Sequence, residues 1–279
     1  MGEAMPDFFN PDDFLNSRIF ECSALIFSRL EELKEYAYLV PLIKGLIENP
    51  KLSVMDNRLF QAAETLFHEG LIDDPEEAKK YFSELIKKNG RCSFFTAPGS
   101  RINDHHSYPG GLAYHTAADI ELALAISEVY NKIYGVNAKR EILIISLAIH
   151  DIAKAQIFEW DKFGEYRGEM LIAGTEAHHI FSIAEAMKRL MPFEIIRGIA
   201  SCHNRASPPE KGLQNFLKAA SIIACTGYSP EMSKKITVED LICLYADSDW
   251  MVSKAARKSN NTKSELFDIL AFKTEFNFF

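Results

Sequence analysis

Residues 141–154, EILIISLAIHDIAK, hold the most apolar segment of the chain and carry a histidine followed by an aspartate near their end. Apolar residues fill nearly every position before His150, which predicts a buried helix. A carboxylate such as that of Asp151 is costly to bury beside isoleucine and leucine unless it is paired or bound to a metal. The stretch therefore predicts a helical core with a polar site at the end of one helix.

Apolar residues at three- and four-residue steps continue on both sides of this stretch, a pattern typical of helices with one buried face. Asp74 followed by Pro75 predicts a capped helix start. Bulky residues around a central Asp-Lys-Phe-Gly in residues 156–168 predict one small β-hairpin. The fold class is therefore all-α with a single hairpin. Helical segments are predicted over roughly 13–47, 74–89, 112–130, 138–153, 175–190, 192–203, 212–226 and 237–258.

Serine, threonine, proline, glycine and asparagine cluster between residues 90 and 110, which predicts a loop and a domain boundary. We divide the chain into an N-terminal helical region, 1–95, and a site-bearing domain, 96–279. The sequence leaves open whether residues 1–95 form a regulatory cap, a cap that makes a homodimer, or an extension of the core.

Composition restricts the class of protein. With 47% hydrophobic and 25% charged residues, the chain resembles an ordinary globular protein. Its longest apolar runs fall far short of the ~20 residues of a membrane-spanning helix, and no secretory leader is recognisable, so we expect a cytoplasmic protein with no membrane contact. Five scattered cysteines without a C-x-x-C pair argue against a disulfide framework or a zinc ribbon. A net charge of −8 disfavours binding of long nucleic acid but leaves small phosphorylated substrates open.

Seven of the eight histidines lie between residues 105 and 203, several of them on predicted helices near carboxylates. Each one alone could be a core histidine bonded to a carbonyl oxygen. Together they indicate a metal site, because imidazole and carboxylate are the donors that divalent transition metals favour. Helices that converge on a core are also how all-α proteins build such sites. The candidates are His115, His150, Asp151, His178 or His179, His203 and Asp247.

Five short motifs occur in order: HHSYPGGLAYHT at 105–116, HDIAK at 150–154, GTEAHHI at 174–180, CHN at 202–204 and YAD at 245–247. Their combination resembles the HD-domain metal-dependent phosphohydrolases, a family of helical bundles. The greatest likeness is to the HD domain of bacterial 3′-to-5′ exoribonucleases, although those relatives carry a β-rich nucleic-acid domain where residues 1–95 here look helical.

The resemblance implies a set of ligands and roles. His115, His150, Asp151 and Asp247 would hold one divalent ion, and His179 and His203, with Asp151 as a bridge, would hold a second. His179 is preferred to His178 because the family's ligand directly precedes an apolar residue. The ions implied are Mn, Ni, Fe, Zn or Mg.

The activity that the resemblance implies is hydrolysis of a phosphomonoester or phosphodiester bond by a metal-activated water. The substrate would be a nucleotide or a short oligonucleotide. Asp151 and Lys154 would be catalytic, and substrate contacts would come from Lys154, Arg205, Arg101 and His106. For the loop residues Arg101 and His106, a solvated loop is an equal alternative. Two other functions stay open: a di-iron oxygenase with the same ligands, and a non-catalytic signalling module, which the presence of every expected ligand disfavours.

Overall fold

A computed structural model describes residues 18–87, 92–100, 106–158, 169–204, 209–227 and 235–257. The regular secondary structure of this part of the chain is helical apart from one two-stranded antiparallel hairpin, which confirms the all-α prediction. Among these residues every helix is too short or too polar to span a lipid bilayer. The five cysteine thiols are free.

The helices and strands are numbered here in chain order. The N-terminal part contains α1 (Arg18–Glu31), a 3-10 turn (Ala37–Leu39), α2 (Val40–Glu48), α3 (Leu59–His68) and α4 (Pro75–Lys87). The remainder contains α5 (Gly111–Tyr134), α6 (Arg140–Ile149), α7 (Lys154–Ile157), β1 (Leu171–Ile172), β2 (Thr175–Glu176), α8 (Ala177–Lys188), α9 (Phe193–Cys202), α10 (Pro209–Ala224) and α11 (Val238–Arg257).

Helix α6 forms the centre of the bundle. All residues from Ile142 to Ile149 are buried, as its uninterrupted apolar composition predicts. It packs against α5, α9 and α11, and on another side against α1 and α2. Helix α8 packs against α9 and α10. The residues that follow α6 therefore lie where several helices converge.

The N-terminal helices share the core of the site-bearing helices. Buried residues of α1 to α4 and of α5 to α11 belong to one continuous hydrophobic cluster. Helix α1 lies along α5, where Arg29 makes a bidentate ion pair with Glu121 at 2.5 and 2.8 Å. The side chain of Glu185 on α8 accepts hydrogen bonds from Ser53 and from the backbone of Val54. In the described residues the N-terminal region thus extends the core, and the boundary near residue 95 stays a prediction.

Local sequence signals account for two helix starts. Asp74 caps α4 by accepting the backbone N–H groups of Glu76 and Glu77 at 2.8 and 3.2 Å. Gly110 precedes α5 with a φ of 82°, a left-handed conformation that favours glycine. At Gly111 a Cβ atom would collide with the carbonyl oxygen of His106. The chain therefore needs both glycines to turn into α5 against the preceding loop.

The hairpin lies later in the chain than predicted. Of the predicted segment 156–168, residues 159–168 lie outside the described residues, and Gln156 and Ile157 belong to helix α7, so the prediction is wrong for those two. The described hairpin pairs Leu171 with Glu176 and Ile172 with Thr175. Its two-residue turn is Ala173–Gly174, and both residues have positive φ, as a type I′ turn requires.

Candidate metal centre

His115 and the pair His150–Asp151 reach the same point from two packed helices. His115 lies in the second turn of α5 and is buried. His150 caps the C-terminus of α6, where its Nδ1 lies 2.8 Å from the carbonyl oxygen of Leu147. A hydrogen bond there places the proton on Nδ1 and leaves the Nε2 lone pair available as a metal ligand. The helix thus fixes both the position of His150 and its tautomer.

Asp247, from α11, completes a first group with these three residues. The Nε2 atom of His115 lies 3.3 Å from Asp151 Oδ2 and 3.2 Å from Asp247 Oδ1. The Nε2 atom of His150 lies 3.2 Å and 3.4 Å from the same two oxygens. All four residues are buried, and their ligand atoms lie within 4.8 Å of one another. The structure therefore brings together the four residues predicted for the first metal.

A second group shares Asp151 with the first. The other carboxylate oxygen, Oδ1, lies 3.2 Å from His178 Nε2 and 3.6 Å from His203 Nε2. His203 also lies 3.6 Å from Asp247 Oδ2. Asp151 directs one oxygen to each group, which is the arrangement predicted for a bridging carboxylate.

The structure places His178, and not the predicted His179, in this second group. The Nε2 atom of His179 lies 3.1 Å from the carbonyl oxygen of Ile199, and its ring stacks on His203 with centroids 4.4 Å apart. Burial lowers the pKa of His179 to about 3. Consecutive residues on a helix point about 100° apart, so only one of the two can face Asp151. The apolar residue after His179 does not identify which one, because both histidines are buried.

Asp119 is a member of the site that the sequence prediction missed. Its Oδ2 lies 3.3 Å from His115 Nε2 and 3.6 Å from His150 Nε2. Burial raises the pKa of this carboxyl to about 7. Its position one helical turn after His115 puts the two residues on the same face of α5, and that spacing was a usable signal.

Glu169 is the second residue that the prediction missed. One carboxylate oxygen lies 2.6 Å from Nδ1 of His178, and the other accepts the backbone N–H of His178 at 2.8 Å. The side chain is 1% exposed. No motif in the sequence marks this glutamate.

The donor atoms of the two groups fit divalent metal ions. The Nε2 atoms of His150 and His178 and Oδ1 of Asp151 are buried but make no hydrogen bond of normal geometry. Buried polar atoms are almost always satisfied, and imidazole with carboxylate is a donor set for divalent transition metals. Divalent ions bound at the two groups would therefore satisfy all three atoms.

The electrostatics keep Asp151 ionised. Burial alone would raise the pKa of Asp151. The pKa nevertheless lies well below its usual range because His150, Lys154 and His178 surround the carboxylate. For His115, burial opposes protonation, yet the neighbouring carboxylates, Asp119 foremost, raise its pKa to about 9. The centre thus holds anionic oxygens that favour a cation.

The predicted substrate-contact residues are only partly within the described chain. Lys154 is 3% exposed, and its ammonium contacts Asp151 Oδ2 and donates to the carbonyl oxygen of Gly99 at 2.5 Å. His106 is buried, has a φ of 54° and places its ring 5.3 Å from that of His115. Arg101 and Arg205 lie outside the described residues.

Comparisons with known proteins gave two curated relatives. The chain is 35% identical over 142 residues to the dihydroneopterin 2′,3′-cyclic phosphate phosphodiesterase of Methanocaldococcus jannaschii; the aligned stretch covers 48% of this chain and 56% of that protein. It is 27% identical over 106 residues to the 3′-5′ exoribonuclease YhaM of Bacillus licheniformis, covering 38% of this chain and 32% of the relative. The chain thus spans about half the length, or less, of the curated relatives it matches. No family model and no solved structure matches. The two relatives confirm the resemblance to HD-domain phosphohydrolases.

Proposed function

We propose that the chain is a metal-dependent phosphohydrolase that cleaves a phosphodiester bond of a nucleotide or a nucleotide-like molecule. The observation that carries this proposal is Asp151, whose two oxygens face two separate groups of histidines, all buried except the partly exposed His203. A carboxylate shared between two donor groups is the arrangement that a two-metal hydrolase needs.

His115, His150, Asp151 and Asp247 would hold one ion, and Asp151, His178 and His203 would hold the other. Bound there, Mn, Ni, Fe, Zn or Mg ions would lower the pKa of a water molecule and stabilise charge on a phosphate. Asp151 fixes the relation between the two groups, and its anionic state offsets the positive charge of the ions. Asp119 adds a further carboxylate next to His115 and His150.

Lys154 and the residues predicted around it would bind the substrate phosphate. The ammonium of Lys154 lies against Asp151, so its charge is within the site and not on the surface. His106 belongs to the loop that precedes α5, and its ring lies next to that of His115. Arg101 and Arg205 stay predictions from the sequence, as do a homodimer and a cytoplasmic location.

The names of the two relatives support a phosphodiester and favour one class of substrate. One relative acts on a 2′,3′-cyclic phosphate and the other is a 3′-5′ exoribonuclease. A net charge of −8 opposes long nucleic acid, whose binding uses many lysine and arginine contacts. We therefore rank 2′,3′-cyclic phosphodiesters of nucleoside-like molecules first and short oligoribonucleotides second.

The experiment that tests this function combines metal analysis with a substrate panel. Protein stripped by a chelator is reloaded with Mn²⁺, Ni²⁺, Mg²⁺, Zn²⁺ or Fe²⁺ and assayed on 2′,3′- and 3′,5′-cyclic nucleotides, short oligoribonucleotides, an aryl phosphodiester and an aryl phosphomonoester. Metal-dependent hydrolysis of a diester supports the proposal. Turnover that requires iron and dioxygen would instead favour the oxygenase alternative, and protein that binds no metal would favour the signalling module.

Asp151→Asn supplies the first specific prediction. The substitution removes the charge shared by both groups, so we expect loss of bound metal and a fall in diesterase activity of at least about 10³-fold, with helicity unchanged. Elemental analysis, turnover and circular dichroism measure these three properties. Asp73→Asn is the matched control, since Asp73 is exposed and distant in sequence from every site residue. Retained turnover in Asp151→Asn would refute the mechanism.

A further inference from the structure

Both carboxylate oxygens of Glu169 contact the same residue of the second group, His178. Oε2 accepts the backbone N–H of His178 at 2.8 Å, and Oε1 lies 2.6 Å from Nδ1 of the same histidine. The carboxylate is almost fully buried, with 1% of the side chain exposed. A buried carboxylate is costly unless its oxygens are satisfied, and His178 satisfies both of them.

The hairpin explains why these two residues meet. Its ladder pairs Leu171 with Glu176, and the backbone N–H of Ala177 continues it by bonding to Met170 O at 3.0 Å. The same register, extended by one more pair, places Glu169 opposite His178. Because the turn has only two residues, the register is fixed by the turn type. The hairpin therefore delivers Glu169 to the first turn of α8.

The contact determines which ring nitrogen of His178 faces the site. A carboxylate on Nδ1 keeps a proton there, so Nε2, which lies 3.2 Å from Asp151 Oδ1, is the nitrogen available to an ion shared with Asp151. A carboxylate behind a ligating imidazole also makes the ring a stronger donor and holds its plane. His179 is held differently, through its Nε2 atom and the carbonyl oxygen of Ile199.

We propose that Glu169 is the positioning residue of the second metal, and that it selects His178 over His179 as the ligand. The inference rests on the proposed function, because it concerns an ion bound by Asp151, His178 and His203. Glu169 acts only through His178 and contacts neither substrate nor metal. Its role is to fix the tautomer, the ring orientation and the basicity of one ligand.

Glu169→Gln tests this role with Mn²⁺ as the probe. Full-length protein is stripped by a chelator and equilibrated with increasing Mn²⁺, and bound ions per chain are counted by elemental analysis. Glutamine keeps the size of the side chain, but its amide N–H would face either the backbone N–H or the Nδ1 atom of His178. One of the two hydrogen bonds of Glu169 is therefore lost. We expect the variant to bind the first ion as the wild type does and to bind the second ion about 10–100-fold more weakly than the wild type. Glu176→Gln, on strand β2 of the same hairpin, is the matched control and retains both ions.

A second readout separates positioning from a merely structural role. Nitrogen-15 NMR of the metal-free protein, recorded at a pH high enough to keep the imidazole rings neutral, reports the ring tautomers: we expect His178 to carry its proton on Nδ1 in the wild type and to shift toward Nε2–H in Glu169→Gln, with His179 unchanged. If Glu169→Gln does not fold, Glu169→Asp keeps the charge but is too short to hold both hydrogen bonds, and it should bind the second ion more weakly than the wild type does.

Two results would overturn the inference, and they can be told apart. If the wild type binds two ions and Glu169→Gln binds the second within about twofold of the wild-type affinity, the positioning role is wrong while the proposed function stands. If the wild type binds no second ion, both the inference and the two-metal hydrolysis are wrong.

Discussion

Two neighbouring histidines at the start of α8 have opposite surroundings, although the sequence makes them look equivalent. His178 has a carboxylate on one ring nitrogen and Asp151 near the other. His179 is bound to a carbonyl oxygen and stacked on a ring. We therefore expect His178→Ala to lose the second ion and most of the activity, whereas His179→Ala should keep both ions. His179→Ala should instead destabilise the fold by about 1–3 kcal/mol, because the buried carbonyl of Ile199 loses its donor.

Elemental analysis and denaturant unfolding, performed on both variants, distinguish these outcomes. His68→Ala is the control, since His68 is exposed at the end of α3. The opposite pattern, in which His179→Ala loses the metal and His178→Ala keeps it, would restore the sequence-based assignment.

Single residues show where sequence reasoning reached the site and where it stopped. His115, His150, Asp151, His203 and Asp247 could be predicted because their motifs lie on strongly periodic helices. The selection of His178 depends on helix rotation and on a carboxylate nine residues earlier, and neither is encoded in a local pattern. Glu169 becomes part of the site only through the register of a hairpin that the sequence did not locate.

The entry into α5 depends on glycines at two adjacent positions. A Cβ atom on Gly111 would collide with the backbone carbonyl of His106, which cannot move as a flexible side chain could. We expect Gly111→Ala to destabilise the fold by about 1–3 kcal/mol and to weaken metal binding, because His115 lies four residues further along α5. Thermal unfolding and Mn²⁺ titration measure both effects.

Gly45→Ala is the matched control for this element. Gly45 is exposed inside α2, and a Cβ atom there would meet nothing within 4 Å. Alanine is the better helix former, so this variant should gain about 0.5–1 kcal/mol. A Gly111→Ala protein as stable as the wild type would show that the loop before α5 can give way.

The hairpin shows why one element was misplaced while the helices around the site were predicted; the N-terminal helix α3 (Leu59–His68) was not predicted, and the predicted segment 13–47 is divided between α1 and α2. Helix periodicity extends over many residues, so α5, α6, α8, α9 and α11 follow from their apolar patterns. A type I′ turn is recognised from short sequences such as Asn-Gly, and here it is formed by Ala173–Gly174, in which alanine adopts a φ of 57°. The bulky alternation at 156–168 was a stronger signal than this turn, but Gln156 and Ile157 belong to α7 and residues 159–168 lie outside the described residues.

The N-terminal region and the site are coupled through α6. Glu141 is the second residue of α6. Its carboxylate accepts hydrogen bonds from the backbone N–H groups of Lys34, Glu35 and Tyr36 at 2.9, 3.3 and 3.0 Å. The other end of the same helix carries His150 and Asp151. A single helix thus joins the segment after α1 to the proposed metal centre, so the described residues 34–36 are linked directly to the element that carries His150 and Asp151.

Glu141→Gln tests this connection. Burial alone would raise the pKa of Glu141, but the three backbone donors hold it below its usual value of 4.5. A carboxylate with a depressed pKa stabilises the fold above the unfolded-state pKa, and this contribution disappears as the pH falls through the folded-state pKa. At pH 7 we expect Glu141→Gln to be less stable than the wild type by about 1–2 kcal/mol, the low end for hydrogen bonds to a charged group because the carboxylate is partly exposed. The difference should shrink as the pH falls below 4.5.

Urea unfolding of the wild type and of Glu141→Gln across this pH range measures the difference in stability. Glu128→Gln, a change at an exposed position of α5, is the control. A difference that stays constant with pH would mean that the charge of Glu141 does not hold the N-terminal segment against α6.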